Sequence, residues 1–221
     1  MIETYKSKYN YKNYNINKID GVRYYEIEAN EFVPSVTSIL NSTKPNSLTE
    51  HKKISHSSLD AMRIGNLMHK YLDDYISSET ILQQTDKNFL IAESLAKIII
   101  EHCINNIDEI WGTEASVHYK NRYAGTIDLI GVMNKNIILV DYKSSYRKKT
   151  QEEIDEYFLQ LAAYTLAHDW QYKTKIDSIM IFLCMRNGDH EENTVSLDEL
   201  KKYQIKWLER LNSFEDKNSN E

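Results

Sequence analysis

The period of the hydrophobic positions changes along this chain, and each change marks an element. From Ser57 onward Leu59, Met62, Leu67, Met68, Tyr71, Leu72 and Tyr75 recur at helical spacing, and Leu90, Leu95, Ile98 and Ile99 do the same over about 86–107. Residues 113–119, 123–133 and 136–142 then read as three strands. A helix over 152–170 follows, with Ile154, Phe158, Leu161, Ala162, Thr165 and Leu166 on one face. Ser178–Met185 is a continuous apolar run, the pattern of a central strand. A short strand near Thr194 and Val195 and a helix over 197–214, capped by Ser196 or Asp198, complete the series. Upstream, 1–21 is polar and reads as a loosely ordered lead-in, 22–28 as a strand, 33–40 as the start of a helix with Ser35 at its N-cap, and 41–56 as a polar loop. The order predicts an α/β fold with a central mixed β-sheet flanked by α-helices. It divides the chain into a polar lead-in at 1–31, one domain at 32–214 and a frayed tail at 215–221.

Composition narrows the class. The 221 residues are enough for one large core, and 41% hydrophobic with 27% charged residues is the balance of a globular domain. Only 6 Gly and 2 Pro argue against long linkers. Cys103 and Cys184 lie in apolar settings without CxxC spacing, which excludes an iron–sulfur cluster and points to a reducing compartment. No run approaches the roughly 20 apolar residues of a membrane span, and the first residues carry no signal-peptide core. The expectation is a cytoplasmic protein, in the host cytoplasm if phage-encoded, with no membrane partner. A net charge of −6 argues against a global basic field for nucleic acid, yet leaves room for an acidic metal site beside a local basic groove.

The candidate chemistry lies where charge interrupts apolar strands. Asp128 sits inside Thr-Ile-Asp-Leu-Ile, and Asp141-Tyr142-Lys143 follows Ile-Ile-Leu-Val directly. Charges in such places are costly unless something binds them. Alternation puts Asp141 and Lys143 on one face of their strand and Tyr142 on the other. The acidic-x-Lys string alone means little, because it also occurs at Glu50–Lys52, Glu199–Lys201 and Glu215–Lys217. What sets Asp141 apart is the strand before it and Asp128 in the neighbouring strand. Mg²⁺ or Mn²⁺ takes hard oxygen ligands and few protein carboxylates. Asp128 and Asp141 would supply them, with the Tyr142 carbonyl as a third, and Lys143 would orient water and balance charge on a reacting phosphate. The plain structural account is a buried ion network of the same three side chains.

These residues resemble the PD-(D/E)XK nuclease superfamily, with Gly-Thr-Ile before Asp128 in place of the usual Pro. Glu114, Gly65-Asn-Leu-Met-His69, Gln160 with Tyr164, Val33-Pro-Ser-Val-Thr-Ser-Ile-Leu40 and Trp207-Leu-Glu-Arg-Leu211 narrow the resemblance to the RecB-like exonuclease branch. In that branch the chain is similar to exonucleases of mitochondrial genome maintenance and of small phages. The resemblance covers about 32–212. It implies Asp128, Asp141, Glu114 and His69 as metal ligands with the Tyr142 carbonyl, Lys143 as the catalytic cation, and Gln160 and Tyr164 supporting it. The branch with a four-cysteine cluster does not fit two cysteines. Two alternatives stay open: a structure-specific endonuclease on the same core, and a non-catalytic nucleic-acid-binding or interaction protein.

The substrate implied is DNA, single-stranded by the resemblance; protein partners are not indicated. Arg147, Lys148 and Lys149 follow the Asp141 strand and are candidate phosphate contacts, with Tyr146 as a base-stacking candidate beside them. Ser35 and Thr37 could cap a helix or seat a phosphate. Lys120, Arg122, Tyr119 and Tyr123 are weaker candidates of the same kinds.

Overall fold

The computed structural model describes residues 5–44, 56–81 and 84–219, without the side chains of 56–58. Three short strands open it: β1 (Asn15–Ile19), β2 (Val22–Glu28) and β3 (Glu31–Pro34), paired antiparallel in that order. The lead-in expected to be loosely ordered is therefore largely structured. Tyr25, Ile27 and Val33 alternate along β2 and β3 and bury against Ala124, which is why a polar stretch folds there. Before β1, Tyr9 and Tyr11 pack on the main core, and the Tyr11 hydroxyl lies 2.9 Å from His168 Nε2.

Helices α1 (Val36–Ser42), α2 (His56–Ser77) and α3 (Lys87–His102) follow. The expected loop over 41–56 falls mostly outside the described residues. The helix expected to reach 107 stops at His102, whose carbonyl accepts from the Asn106 side chain, and the chain tightens into a 3₁₀ turn at Ile104–Asn106. Then come β4 (Glu109–Tyr119), β5 (Tyr123–Met133), β6 (Asn136–Ser145), α4 (Gln151–Tyr172), β7 (Ser178–Met185), β8 (His190–Ser196) and α5 (Leu197–Asn218). Thr150 and Glu153 start α4 with a reciprocal capping box. Ser196 holds the N-cap position of α5 without a side-chain bond. The tail expected to fray from 215 instead continues α5, and Glu215 binds the Arg122 guanidinium.

Strands β4 to β8 form a second, mixed sheet in the order β4-β5-β6-β7-β8, with β6 and β7 parallel and the other neighbours antiparallel. The crossover between the parallel pair is α4. Helices α1, α4 and α5 cover one face, and α2 and α3 cover the other. Strand β7 is buried on both faces, as its unbroken apolar run requires. At roughly 1.5–3 kcal/mol per fully buried large side chain, this double burial fixes the centre of the sheet. Among the described residues no helix is long and apolar enough to cross a membrane.

Candidate metal centre

The site forms where the alternation of β5 breaks. Ile127 packs with the α4 layer, whereas Leu129, two residues on, packs with the α2–α3 layer. Asp128 stands at the break, buried. Backbone pairing of β5 with β6 runs from Met133 and Asn136 to Leu129 and Val140. One step further, Asp128 Oδ2 accepts the N–H of Tyr142 at 2.7 Å. On the other side of β5, Glu114 of β4 adopts φ +45, a left-handed conformation uncommon for a side chain of this kind. The kink brings its carboxylate to His69.

His69 comes from the middle of α2. Its Nδ1 lies 3.4 Å from both Glu114 Oε1 and Asp128 Oδ1, and its Nε2 lies 3.1 Å from the Tyr142 carbonyl oxygen. Both ring nitrogens thus face acceptors, as suits an imidazolium. Burial disfavours that charge, but Asp128 and Glu114 outweigh it and hold the His69 pKa well above the ordinary histidine value. One ligand atom each from His69, Glu114 and Asp128 lies within 4.8 Å of the others. Two carboxylates, an imidazole and a main-chain carbonyl form a donor set that fits a divalent cation, and the protonated His69 neutralises the same acids in its place.

Asp141 is only 2% exposed. Its Oδ1 accepts from Lys143 Nζ at 2.8 Å, and Oδ2 lies 2.6 Å from the same ammonium. Burial, with Asp128 nearby, outweighs Lys143 and pushes the Asp141 carboxyl up to about 6. For Asp128, burial is overcome by His69, by Lys143 and by the Tyr142 N–H, which hold its pKa below the ordinary value. One site therefore holds two carboxylates pushed in opposite directions, Asp128 down by its partners and Asp141 up by burial. As alternation predicts, Tyr142 is buried on the opposite face from Lys143.

Lys143 is steered from α4. Gln160 Oε1 accepts from Nζ at 3.4 Å, Gln160 Nε2 donates to the Tyr164 hydroxyl at 2.9 Å, and the Tyr157 ring lies 5.0 Å from the ammonium. Tyr164 fits because residue 125 is glycine: a Cβ there would come within 2.2 Å of its ring. The Tyr157 contact was not anticipated, and only its spacing of three before Gln160 could have suggested it. Asp73, one helical turn after His69, also escaped notice; burial and then Glu114 push its carboxyl up.

His69, Glu114, Asp128, Asp141, Lys143 and Gln160 line a single cavity of about 620 Å³, and Tyr142, Tyr164, Ser35 and Thr37 also border it. Ser35 caps α1, accepting from Ser38 N, and its hydroxyl lies 3.1 Å from Thr37 Oγ1. The basic run lies outside this cavity. Arg147 and Lys149 bind Glu153, and Lys148 binds Glu191. Tyr146 is likewise outside, on the surface. Tyr123 cannot stack on a base, because it is buried with its hydroxyl bonded to the Ala163 carbonyl. Of the other acidic-x-Lys strings, two lie on α5, away from the cavity, and Glu50–Lys52 lies outside the described residues.

Residues 109–217, from β4 to the end of α5, match the PD-(D/E)XK nuclease superfamily. No curated protein matches the sequence. Among solved structures, the chain is similar to a candidate exonuclease from Eubacterium rectale, at 13% identity and TM-score 0.44, covering 76% of this chain and 72% of that one. It is also similar to the protein SSO0001, at 14% identity and TM-score 0.33, covering 77% and 83%. The family match spans the strands and the helix that carry Glu114, Asp128, Asp141, Lys143 and Gln160, and over those residues the chain is similar to the PD-(D/E)XK nuclease superfamily.

Proposed function

We propose that the protein is a metal-dependent exonuclease that hydrolyses phosphodiester bonds from the ends of single-stranded DNA. The observation that carries this reading is the convergence on one cavity of His69, Glu114 and Asp128, with Asp141 and its ion-pair partner Lys143 beside them. Asp128, Asp141, the Tyr142 carbonyl, His69 and Glu114 would hold Mg²⁺ or Mn²⁺. The ion, when bound, supplies a water of lowered pKa and polarises the phosphate. Lys143, held by Asp141 and Gln160 in the lining of the cavity, orients the attacking water and offsets charge on the phosphoryl oxygens. Tyr157 lies beside the Lys143 ammonium, and Tyr164 holds Gln160 toward it. The P–O bond to the leaving nucleotide breaks as the bond from water forms, and a water proton goes to the leaving oxygen.

Preference for a single strand is supported by the mouth of the cavity. Ile16 of β1 and Met62 of α2 border it and are 53% and 61% exposed. Exposed apolar side chains beside a phosphate-handling site suit unpaired bases, whose faces a duplex would hide. Oligonucleotides labelled at the 5′ or 3′ end, incubated with Mg²⁺ or Mn²⁺ and with EDTA, test the reading. Stepwise metal-dependent shortening is expected. Cleavage of a circular single strand would assign the endonuclease alternative, and no cleavage of any DNA with either metal would leave the charged cluster as a structural ion network.

A further inference from the structure

Beyond the cavity, among the described residues, Arg186 has two buried guanidinium nitrogens that meet no hydrogen-bond acceptor. Arg186 follows β7, and its N–H donates to the Ser145 carbonyl at the end of β6. Its Nε and Nη1 are buried and bonded to nothing. The guanidinium carbon lies 5.1 Å from the centroid of the Tyr146 ring, and that ring is 64% exposed. Its neighbours differ: Arg147 and Lys149 are paired with Glu153, and Lys148 with Glu191. A guanidinium keeps its charge in any protein setting. Left without a partner in a half-buried place it costs stability, and such a cost persists where an anion relieves it.

Its position says which anion. Lys143 is opposite Leu183 and Ser145 opposite Met185 in the parallel register. Arg186 is therefore three residues past the level of Lys143, roughly 10 Å along the strands at about 3.3 Å per residue. A strand of nucleic acid whose reacting phosphate lies at Lys143 has flanking phosphates and bases at that range. Arg186 presents a planar fork suited to a phosphate, and Tyr146 a free aromatic face suited to a base.

We infer that Arg186 and Tyr146 form a nucleotide subsite flanking the reacting phosphate, with Arg186 on a backbone phosphodiester and Tyr146 on a base. The inference rests on the nuclease reading above. It is tested by anisotropy titration of a fluorescent oligothymidylate, in EDTA and in Ca²⁺, across a salt series. Each phosphate contact to a single strand steepens the dependence of log K on log salt by about 0.7. Arg186→Met should therefore bind several-fold more weakly at low salt, with the slope shallower by about 0.7. Tyr146→Ala should weaken binding at an unchanged slope. Arg186→Lys keeps the charge without the fork, so it should hold the slope and lose part of the affinity; it stands in if the methionine variant does not fold. A folded Arg186→Met with wild-type slope and affinity overturns the phosphate assignment alone, and wild-type binding by Tyr146→Ala overturns the base assignment. Failure of the wild-type protein to bind any oligonucleotide overturns both the subsite and the nuclease reading.

Discussion

Asp128 Oδ2 accepts the backbone N–H of Tyr142 at 2.7 Å, so a side chain continues the hydrogen bonding where the backbone ladder of β5 and β6 ends. The same carboxylate thus ties two strands together and offers Oδ1 to His69. Its two tasks can be separated. Asp128→Asn keeps an acceptor for Tyr142 and should fold with nearly wild-type stability, yet lose at least about a hundredfold in nuclease rate, the scale of removing one preorganised charged group. Asp128→Ala also strands a buried N–H, at about 1–3 kcal/mol. Thermal melts alongside rate assays distinguish the two; equal stability loss in both variants would sink the division of labour.

Metal should stabilise the fold. An ion that binds only the native state at a hundred times its Kd adds about 2.7 kcal/mol. Mn²⁺ or Mg²⁺ should raise the melting temperature, EDTA should reverse the rise, and Asp141→Asn should abolish it. In EDTA the same variant should melt at or above the wild-type temperature, because it relieves a buried carboxylate whose ionised form is disfavoured. A large loss of stability in metal-free Asp141→Asn would instead favour a structural ion network.

Glu114 holds a left-handed backbone that glycine would adopt without strain. Glu114→Gly should be more stable than Glu114→Ala by roughly 1 kcal/mol, while both lose metal-dependent stabilisation. Denaturant titration of the pair checks the order.

Gly125→Ala would drive a methyl into the Tyr164 ring. The expected cost is about 1–3 kcal/mol of overpacking. Because Tyr164 positions Gln160, which in turn holds Lys143, the rate should fall further than in a distant variant of equal stability.

His168 gives the fold a pH dependence of its own. It is fully buried between the Tyr11 hydroxyl and Thr174 Oγ1, and burial lowers its pKa to about 3. The unfolded chain takes up the proton near 6.5, so stability is complete above that value and falls as pH drops from 6.5 toward 3. At pH 5 the loss is on the order of 2 kcal/mol. His168→Gln should flatten that part of a stability–pH curve; an unchanged curve would falsify the assignment.

The central hairpin and α4 were legible in the sequence because their burial is periodic and their charges break it. Asp128, Asp141, Lys143 and Gln160 could each be placed from spacing and resemblance, and the cavity gathers them. The kink at Glu114 was not legible, since nothing in Thr-Glu-Ala marks a positive φ. Nor was the pairing of the basic run, because Glu191 lies forty-three residues after Lys148 in sequence yet holds its ammonium in space. The β1–β3 sheet was hidden by its composition: it buries only Tyr25, Ile27 and Val33 against one alanine, too little to register among so many polar neighbours.

The N-terminal arm limits where this protein can be trimmed. Tyr11 fills the space that Gly112 leaves open, Lys8 lies over Trp111, and the Tyr25 hydroxyl meets Thr126, two residues before Asp128 on β5. A fragment begun at 32, the boundary that hydropathy alone recommends, would uncover Trp111 and His168 and strip one wall from the cavity. The arm is an integral part of the cavity wall, to which it gives Ile16, Arg23 and Tyr25, and fragments for crystallisation or assay should begin ahead of it.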